Sequence, residues 1–107
     1  MQQELNIMIL EDDNTACSSF KKVIDKYENL NLVYSTNDSE TALTKTGILM
    51  PNVVILDLEL HMGRGSGIDY LSKLPQNNKP FIIVTICQQS RMLMKIKSHI
   101  LNRYLTN

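Results

Sequence analysis

The stretch Asn52-Val53-Val54-Ile55-Leu56-Asp57 joins an apolar run directly to a carboxylate. Two valines, an isoleucine and a leucine in succession are typical of a strand that is buried on both faces of a parallel sheet. In open α/β sheets, ligands bind just outside the carboxyl ends of the strands. The stretch therefore predicts a central strand over residues 53–57, with Asp57 at the edge of the sheet where chemistry takes place.

Composition indicates one globular domain, because the 107 residues are 43% hydrophobic and can bury a single core. The net charge is zero, but all 11 acidic residues lie within residues 1–69, and residues 70–107 carry only basic ones. This asymmetry predicts an electronegative pocket in the first part of the chain, although solvated faces of opposite sign would give the same counts. No apolar run has membrane-spanning length, and the two cysteines lack framework spacing, so we expect a cytoplasmic protein with reduced thiols.

Strand-like and helix-like segments alternate along the chain. Apolar runs predict strands over residues 5–10, 30–34, 53–57 and 81–85. Helical spacing predicts helices over residues 14–28, from the Asn37-Asp38-Ser39 turn to Gly47, over 68–74, and from Ser90 onward. Asp13 or Asn14 would cap the first of these helices. The alternation predicts βαβ units with right-handed crossovers and a parallel sheet.

Polar residues follow the strands at the edge where their carboxyl ends meet, so Glu11, Asp12, Asp57 and Thr85 should converge there. Carboxylates that meet in a cleft repel one another unless a cation lies between them, and hard oxygen ligands with room for water suit Mg²⁺. Taken alone, each acid is better interpreted as the N-cap of the next helix, and Thr85 as an ordinary β-branched strand residue. As a set, these residues favour a functional site.

With these residues in these places, almost the whole chain resembles the receiver domain of two-component response regulators. The resemblance implies a flavodoxin-like, doubly wound parallel sheet with strand order 2-1-3-4, followed by strand 5. It implies that Asp57, in Val-Ile-Leu-Asp-Leu, is the phospho-acceptor and that Thr85 contacts the phosphoryl group. Mg²⁺ would be held by Glu11, Asp12 and Asp57, with Asp12 the more direct ligand of the acidic pair, and by the backbone carbonyl of Glu59.

The resemblance implies a signalling domain and not an enzyme. A sensor histidine kinase would supply the phosphoryl group, and Asp57 would be the carboxylate nucleophile that forms an acyl phosphate. The domain would assist its own phosphotransfer and dephosphorylation, and Thr85 would bias the packing of the following helix toward a second state. Any DNA contact would be made by an output domain, and no contact with a membrane is expected.

The loop after Asp57 departs from the family pattern. His61 stands where family members usually have a proline, and the segment Leu60–Gly67 is longer than usual. His61 could be a metal ligand or an acid-base group, but a solvent-facing loop histidine is the simpler interpretation. The glycines Gly63, Gly65 and Gly67 are expected to permit the backbone geometry of the loop, since no P-loop lysine follows them.

The C-terminal residues allow two interpretations. Family spacing from Thr85 places Asn107 where a lysine should end a fifth strand, and Tyr104 where a switch aromatic should stand. Alternatively, the helix from Ser90 continues to about Tyr104, which would then pack in the core; helical spacing favours this second interpretation slightly. Both interpretations predict that residues 1–107 form a C-terminally incomplete receiver domain. Under the first interpretation the fifth strand is present but its lysine is replaced and the fifth helix is missing. If the fifth strand is missing, as under the second interpretation, strand 81–85 would be an unprotected edge, which predicts self-association as a dimer or exchanged dimer.

Other functions remain open at the level of sequence. A receiver-like module that is not phosphorylated could use its last helix to bind a partner. A phosphatase with an aspartyl nucleophile would need a second aspartate where Glu59 stands, and a flavin-binding fold would need a hydroxyl-rich loop after the first strand. Both of these are weaker than the receiver interpretation.

Overall fold

Strands and helices alternate throughout the described parts of this computed structural model, which are residues 3–58, 66–77 and 79–85. The elements are β1 Leu5–Leu10, α1 Asn14–Ile24, β2 Leu30–Thr36, α2 Ser39–Leu49, β3 Val53–Asp57, α3 Gly67–Lys73 and β4 Phe81–Thr85. The expectations for Glu59, His61, Tyr104 and Asn107, and for the helix from Ser90, lie outside these residues. No described helix is long and apolar enough to span a membrane.

The strands form one parallel sheet in the order β2-β1-β3-β4. This order confirms the flavodoxin-like topology expected for strands 1 to 4. The strand β3 pairs with β1 on one side and with β4 on the other, and all five of its residues are buried. The unbroken apolar run before Asp57 reflects this central position, because both faces of the strand are covered.

Two apolar cores cover the two faces of the sheet, because successive strand residues point to opposite sides. One core joins alternate residues of β1 and β3 to α1 and includes Leu5, Ile7, Ile9, Ala16, Phe20, Ile24, Val53 and Ile55. The other joins the intervening residues to α2 and α3 and includes Met8, Leu10, Ala42, Val54, Leu56, Tyr70 and Leu74. The hydroxyls of Tyr70 and Thr46 are 2.8 Å apart, so this buried tyrosine is hydrogen-bonded between the two helices.

Several predicted boundaries were wrong by a few residues. The helix α1 ends at Ile24 and not at Glu28, and β2 continues to Thr36. The helix α2 does not end at Gly47: it continues to Leu49, and Met50 adopts the left-handed conformation at its C-cap, with φ 48°. Because a glycine usually takes such a position, Gly47 was wrongly predicted to end the helix.

Candidate functional site

The register of the sheet brings the predicted polar residues to one edge. Asp57 and Thr85 are paired across β3 and β4, and Leu10 is paired with Leu56, so Glu11 emerges from β1 at the same level. Glu11, Asp57 and Thr85 are buried, and Asp12 is half-buried. The expected convergence of residues from three strand ends is therefore confirmed by the geometry.

The carboxyl groups of Glu11, Asp12 and Asp57 each offer an oxygen, and these atoms all lie within 4.8 Å of one another. This spacing allows a single cation to contact all three. Oxygen donors of this type fit a hard divalent cation such as Mg²⁺, which keeps several waters and takes few protein carboxylates. The cluster could therefore hold a metal ion.

The carboxyl of Glu11 is electrostatically strained. Burial, a side-chain hydrogen bond with Asp57 and the charge of Asp57 raise its pKa from 4.5 to about 8, although hydrogen bonds from the backbone of Asp13 and Asp12 oppose the increase. One of these is the bond from the Asp12 amide to Glu11 Oε2, 3.0 Å long. Two carboxylates this close resist simultaneous ionisation, and a cation between them would remove that penalty.

The run Glu11-Asp12-Asp13 divides between two roles. Asp13 is the N-cap of α1, and its Oδ1 accepts hydrogen bonds from the amides of Thr15 and Ala16 at 2.8 and 3.3 Å. The sequence left open whether Asp13 or Asn14 caps α1, and the structure shows that Asp13 does. The other two acids of the run, Glu11 and Asp12, form the cluster with Asp57. The capping interpretation is thus correct for one acid of the three.

Thr85 lies at the end of β4, and its hydroxyl donates a hydrogen bond to the backbone carbonyl of Leu56, 3.3 Å away. The side chain is 4% exposed, so the bond satisfies a hydroxyl that would otherwise be buried without a partner. It also ties the end of β4 to the residue that precedes Asp57. Thr85 is therefore paired with Asp57 across the sheet, with its hydroxyl bonded to the backbone of Leu56.

Gly67 supports the cluster from the side of α3, a role that the sequence pattern did not predict. A Cβ at this position would lie 2.3 Å from the backbone oxygen of Asp57 and 2.7 Å from a methyl of Leu56. The Gly67 amide donates a hydrogen bond of 3.0 Å to the carbonyl of Leu58. The glycine thus allows a close approach of two backbones. Sequence alone assigned Gly67 to the loop, and the signal of its role was its position directly before the predicted helix over 68–74.

Cys17 lies behind the cluster on α1. Its thiol donates to the carbonyl of Glu11 at 3.7 Å and contacts the hydroxyl of Ser35 at 3.8 Å. Burial raises the pKa of the Cys17 thiol, and the nearby acids Glu11, Asp13 and Asp12 raise it further. The thiol is therefore held in its neutral form, as is usual for a cysteine that packs against its neighbours.

A family model described as the response regulator receiver domain matches residues 7–106. The non-phosphorylated receiver domain of the stress response regulator RcsB from Escherichia coli is 21% identical, with a TM-score of 0.68 over 94% of this chain and 77% of that one. The isolated domain of RcsB from Salmonella enterica serovar Typhimurium, with phosphomimetic BeF3⁻, is 20% identical, with a TM-score of 0.68 over 94% and 73%. Anti-anti-sigma factor PhyR from Bartonella quintana is 20% identical, with a TM-score of 0.65 over 78% and 34%. No curated protein matches significantly.

These structural likenesses, at low identity, establish the fold. The family match covers nearly the whole chain and agrees with the strand order and with the acids at the carboxyl edge of the sheet. Receiver domains act in signalling and are not enzymes for separate substrates. The chain belongs to the response regulator receiver domain family, the phosphoacceptor domains of two-component signalling.

Proposed function

We propose that Asp57 accepts a phosphoryl group from a sensor histidine kinase and that Mg²⁺ is held by Glu11, Asp12 and Asp57 with the backbone carbonyl of Glu59. The observation that supports this most is the cluster of three carboxyl groups within 4.8 Å at the carboxyl edge of the sheet. The raised pKa of Glu11, caused by burial and by Asp57, indicates an arrangement that needs a cation when fully ionised.

A carboxylate oxygen of Asp57 would attack the phosphorus of a phosphohistidine. The P–N bond breaks, its electron pair returns to the imidazole, and Asp57 becomes an acyl phosphate. Water would later attack the phosphorus and restore the carboxylate, releasing inorganic phosphate. Mg²⁺, when bound, supplies positive charge that offsets repulsion between the carboxylates and the phosphoryl oxygens. Glu11 must lose its proton before it can act as a ligand, and its neighbours decide the pH at which it does so.

Thr85 would carry the signal away from Asp57. Its hydroxyl is committed to the carbonyl of Leu56, and a phosphoryl oxygen on Asp57 would offer a stronger, charged acceptor. Exchange of one acceptor for the other would move the end of β4 and bias the segment after Thr85 between two states. We propose that this shift regulates an output domain, and that any DNA contact is made by that domain. We propose a cytoplasmic location.

Labelling with a small phosphoryl donor tests the acceptor. The chain is incubated with phosphoramidate or acetyl phosphate and Mg²⁺, and intact mass is measured with and without a chelator. The unmodified chain and Asp25→Asn, which removes an exposed acid on the far end of α1, should gain one phosphoryl group only with Mg²⁺. Asp57→Asn should gain none. Labelling that persists in Asp57→Asn, or an unlabelled but folded wild-type chain, would contradict the proposal; the second result would favour a receiver-like interaction module that is not phosphorylated.

We also propose that copies of the chain self-associate along β4. Among the described strands, β4 is the last in the order β2-β1-β3-β4, and its Val84 is 39% exposed. An apolar outer strand offers backbone groups to another strand, and a lysine on it opposes such pairing. Light scattering should therefore show association that Val84→Lys weakens and Ile68→Lys, on the exposed side of α3, does not. A monomer at high micromolar concentration would contradict this.

A further inference from the structure

A second concave surface lies at the edge of the sheet opposite the acidic cluster. It is a groove of about 750 Å³, open to solvent, between the C-terminal ends of α2 and α3 and the segments that lead into β3 and β4. Its lining is mainly apolar and includes Leu43, Met50 and Leu74, with Lys73 and Lys79 as its charged members. The receiver chemistry at the acidic cluster makes no use of this surface.

Gly47 leaves part of the groove open. A Cβ at this position would meet no heavy atom of the described residues within 4 Å, so packing among those residues does not require a glycine there. Glycine within a helix destabilises it by about 1 kcal/mol relative to alanine. The missing side chain enlarges the groove and gives no packing benefit among the described residues.

The end of α2 continues the groove as an exposed apolar surface. Ile48 and Met50 are 66% and 65% exposed, and Leu49 lies between them. Met50 also holds the left-handed C-cap position, where a non-glycine residue is unfavourable. A flexible, polarisable methionine is common on surfaces that adapt to apolar partners. The surface is therefore apolar at a position where the fold alone would favour glycine.

The charge of the groove selects among occupants. Lys73 and Lys79 contribute two positive charges, and no acidic residue is among its described lining residues. The C-terminal ends of α2 and α3 each contribute about half a negative charge, which leaves about one unit of positive charge. The opposite edge of the sheet carries the acidic cluster, so the two edges carry charges of opposite sign. A partner that fits here must be both apolar and acidic.

We propose that this groove binds an acidic, amphipathic segment of a partner protein. Its apolar side chains would occupy the space beside Gly47 and Met50, and its carboxylates would pair with Lys73 and Lys79. Apolar anchors in a groove with charges at the rim are the usual arrangement for such segments. The inference does not depend on phosphorylation of Asp57.

Selection from a displayed library of random short peptides tests this on the whole chain. Peptides are selected on the wild-type protein and counter-selected on Gly47→Phe, which fills the groove. Selected peptides are then synthesised with a fluorophore, and fluorescence anisotropy measures their Kd for each variant. Gly47→Ala is the matched control for helix stability, and Lys21→Glu with Lys22→Glu is the control for charge reversal, because both lysines are exposed on α1. Circular dichroism verifies that each variant is folded.

The peptides selected should combine acidic and apolar residues, and Gly47→Phe should weaken their binding at least about tenfold. The double change Lys73→Glu and Lys79→Glu should weaken it about tenfold, with less effect at high salt. Gly47→Ala, the α1 double variant and Asp57→Asn should bind as the wild type does. The inference would be overturned if the selected peptides lack acidic residues, if their binding survives Gly47→Phe, or if no peptide prefers the wild type. It would also be overturned if Gly47→Phe abolishes self-association, because the groove would then belong to a second copy of the chain.

Discussion

Replacing Glu11 with glutamine should change how stability depends on pH. The glutamine keeps the size of the side chain and an oxygen that can accept from the Asp12 amide, but it cannot ionise. In the wild type, burial and Asp57 raise the pKa of Glu11 from 4.5 to about 8. Between these values the folded chain holds a proton that the unfolded chain releases, so the free energy of unfolding falls as pH rises. Glu11→Gln should lack this loss.

The size of the stability difference between Glu11→Gln and the wild type follows from the pKa shift of Glu11. One pKa unit corresponds to about 1.36 kcal/mol, so the full shift would correspond to about 5 kcal/mol. Relaxation of the site and entry of water when Glu11 ionises reduce this penalty, and we expect about 2 kcal/mol. Glu11→Gln should therefore match the wild type near pH 4.5 and exceed it by about 2 kcal/mol above pH 8. For a domain of this size that difference raises Tm by about 10 °C.

Urea denaturation followed by circular dichroism, in the presence of a chelator, measures this difference across the pH range. Glu28→Gln is the matched control, because Glu28 is exposed. Mg²⁺ at about 100 times its Kd should stabilise the wild type by about 2.7 kcal/mol at high pH. Glu11→Gln should gain less, since it has lost a charged ligand. Parallel pH profiles for Glu11→Gln and the wild type, or a wild type that gains stability relative to the variant as pH rises, would refute the reasoning.

Three further substitutions test the packing around the site, with urea denaturation as the measurement. Gly67→Ala should destabilise by about 3 kcal/mol and slow labelling of Asp57, because the new Cβ lies 2.3 Å from the Asp57 backbone oxygen; an unchanged midpoint would show that α3 can move away freely. Tyr70→Phe should cost about 1 kcal/mol through loss of the bond to Thr46, and a neutral result would mean that the hydroxyl pair contributes nothing. Asp13→Ala should cost about 1 kcal/mol by removing the cap of α1, without affecting Mg²⁺ binding; loss of Mg²⁺ binding would place Asp13 in the site.

The fold could be predicted from the sequence to a large extent because each strand carries its own pattern. The apolar run before Asp57 had the composition of a buried central strand, and β3 does lie between β1 and β4. Helix ends were harder, because capping depends on which backbone groups need a partner. Gly47 suggested an end for α2, which continues to Leu49 with Met50 as its C-cap. The sequence left Asp13 and Asn14 as alternative N-caps of α1, and the chain uses Asp13.

The site could be predicted only as a set of residues at strand ends. Sequence determined that Glu11, Asp12, Asp57 and Thr85 follow strands, and parallel strands release their ends at one edge. The register decided how closely they approach, because a slip of one residue would turn Asp57 to the other face. Distances, the burial of Glu11 and its raised pKa depend on neighbours from separate strands, and no single segment encodes them.

Asp57 shows which properties of a residue the local sequence determines and which depend on the tertiary structure. The residues before it determine, by their apolar character, that it ends a buried strand at the carboxyl edge of the sheet. Its environment was decided by tertiary structure alone, through Glu11 from β1, Thr85 from β4 and the bare backbone of Gly67 against its carbonyl. Local sequence fixes hydrophobic burial along one strand, whereas electrostatic coupling and steric contact depend on distances between segments that are remote in the chain.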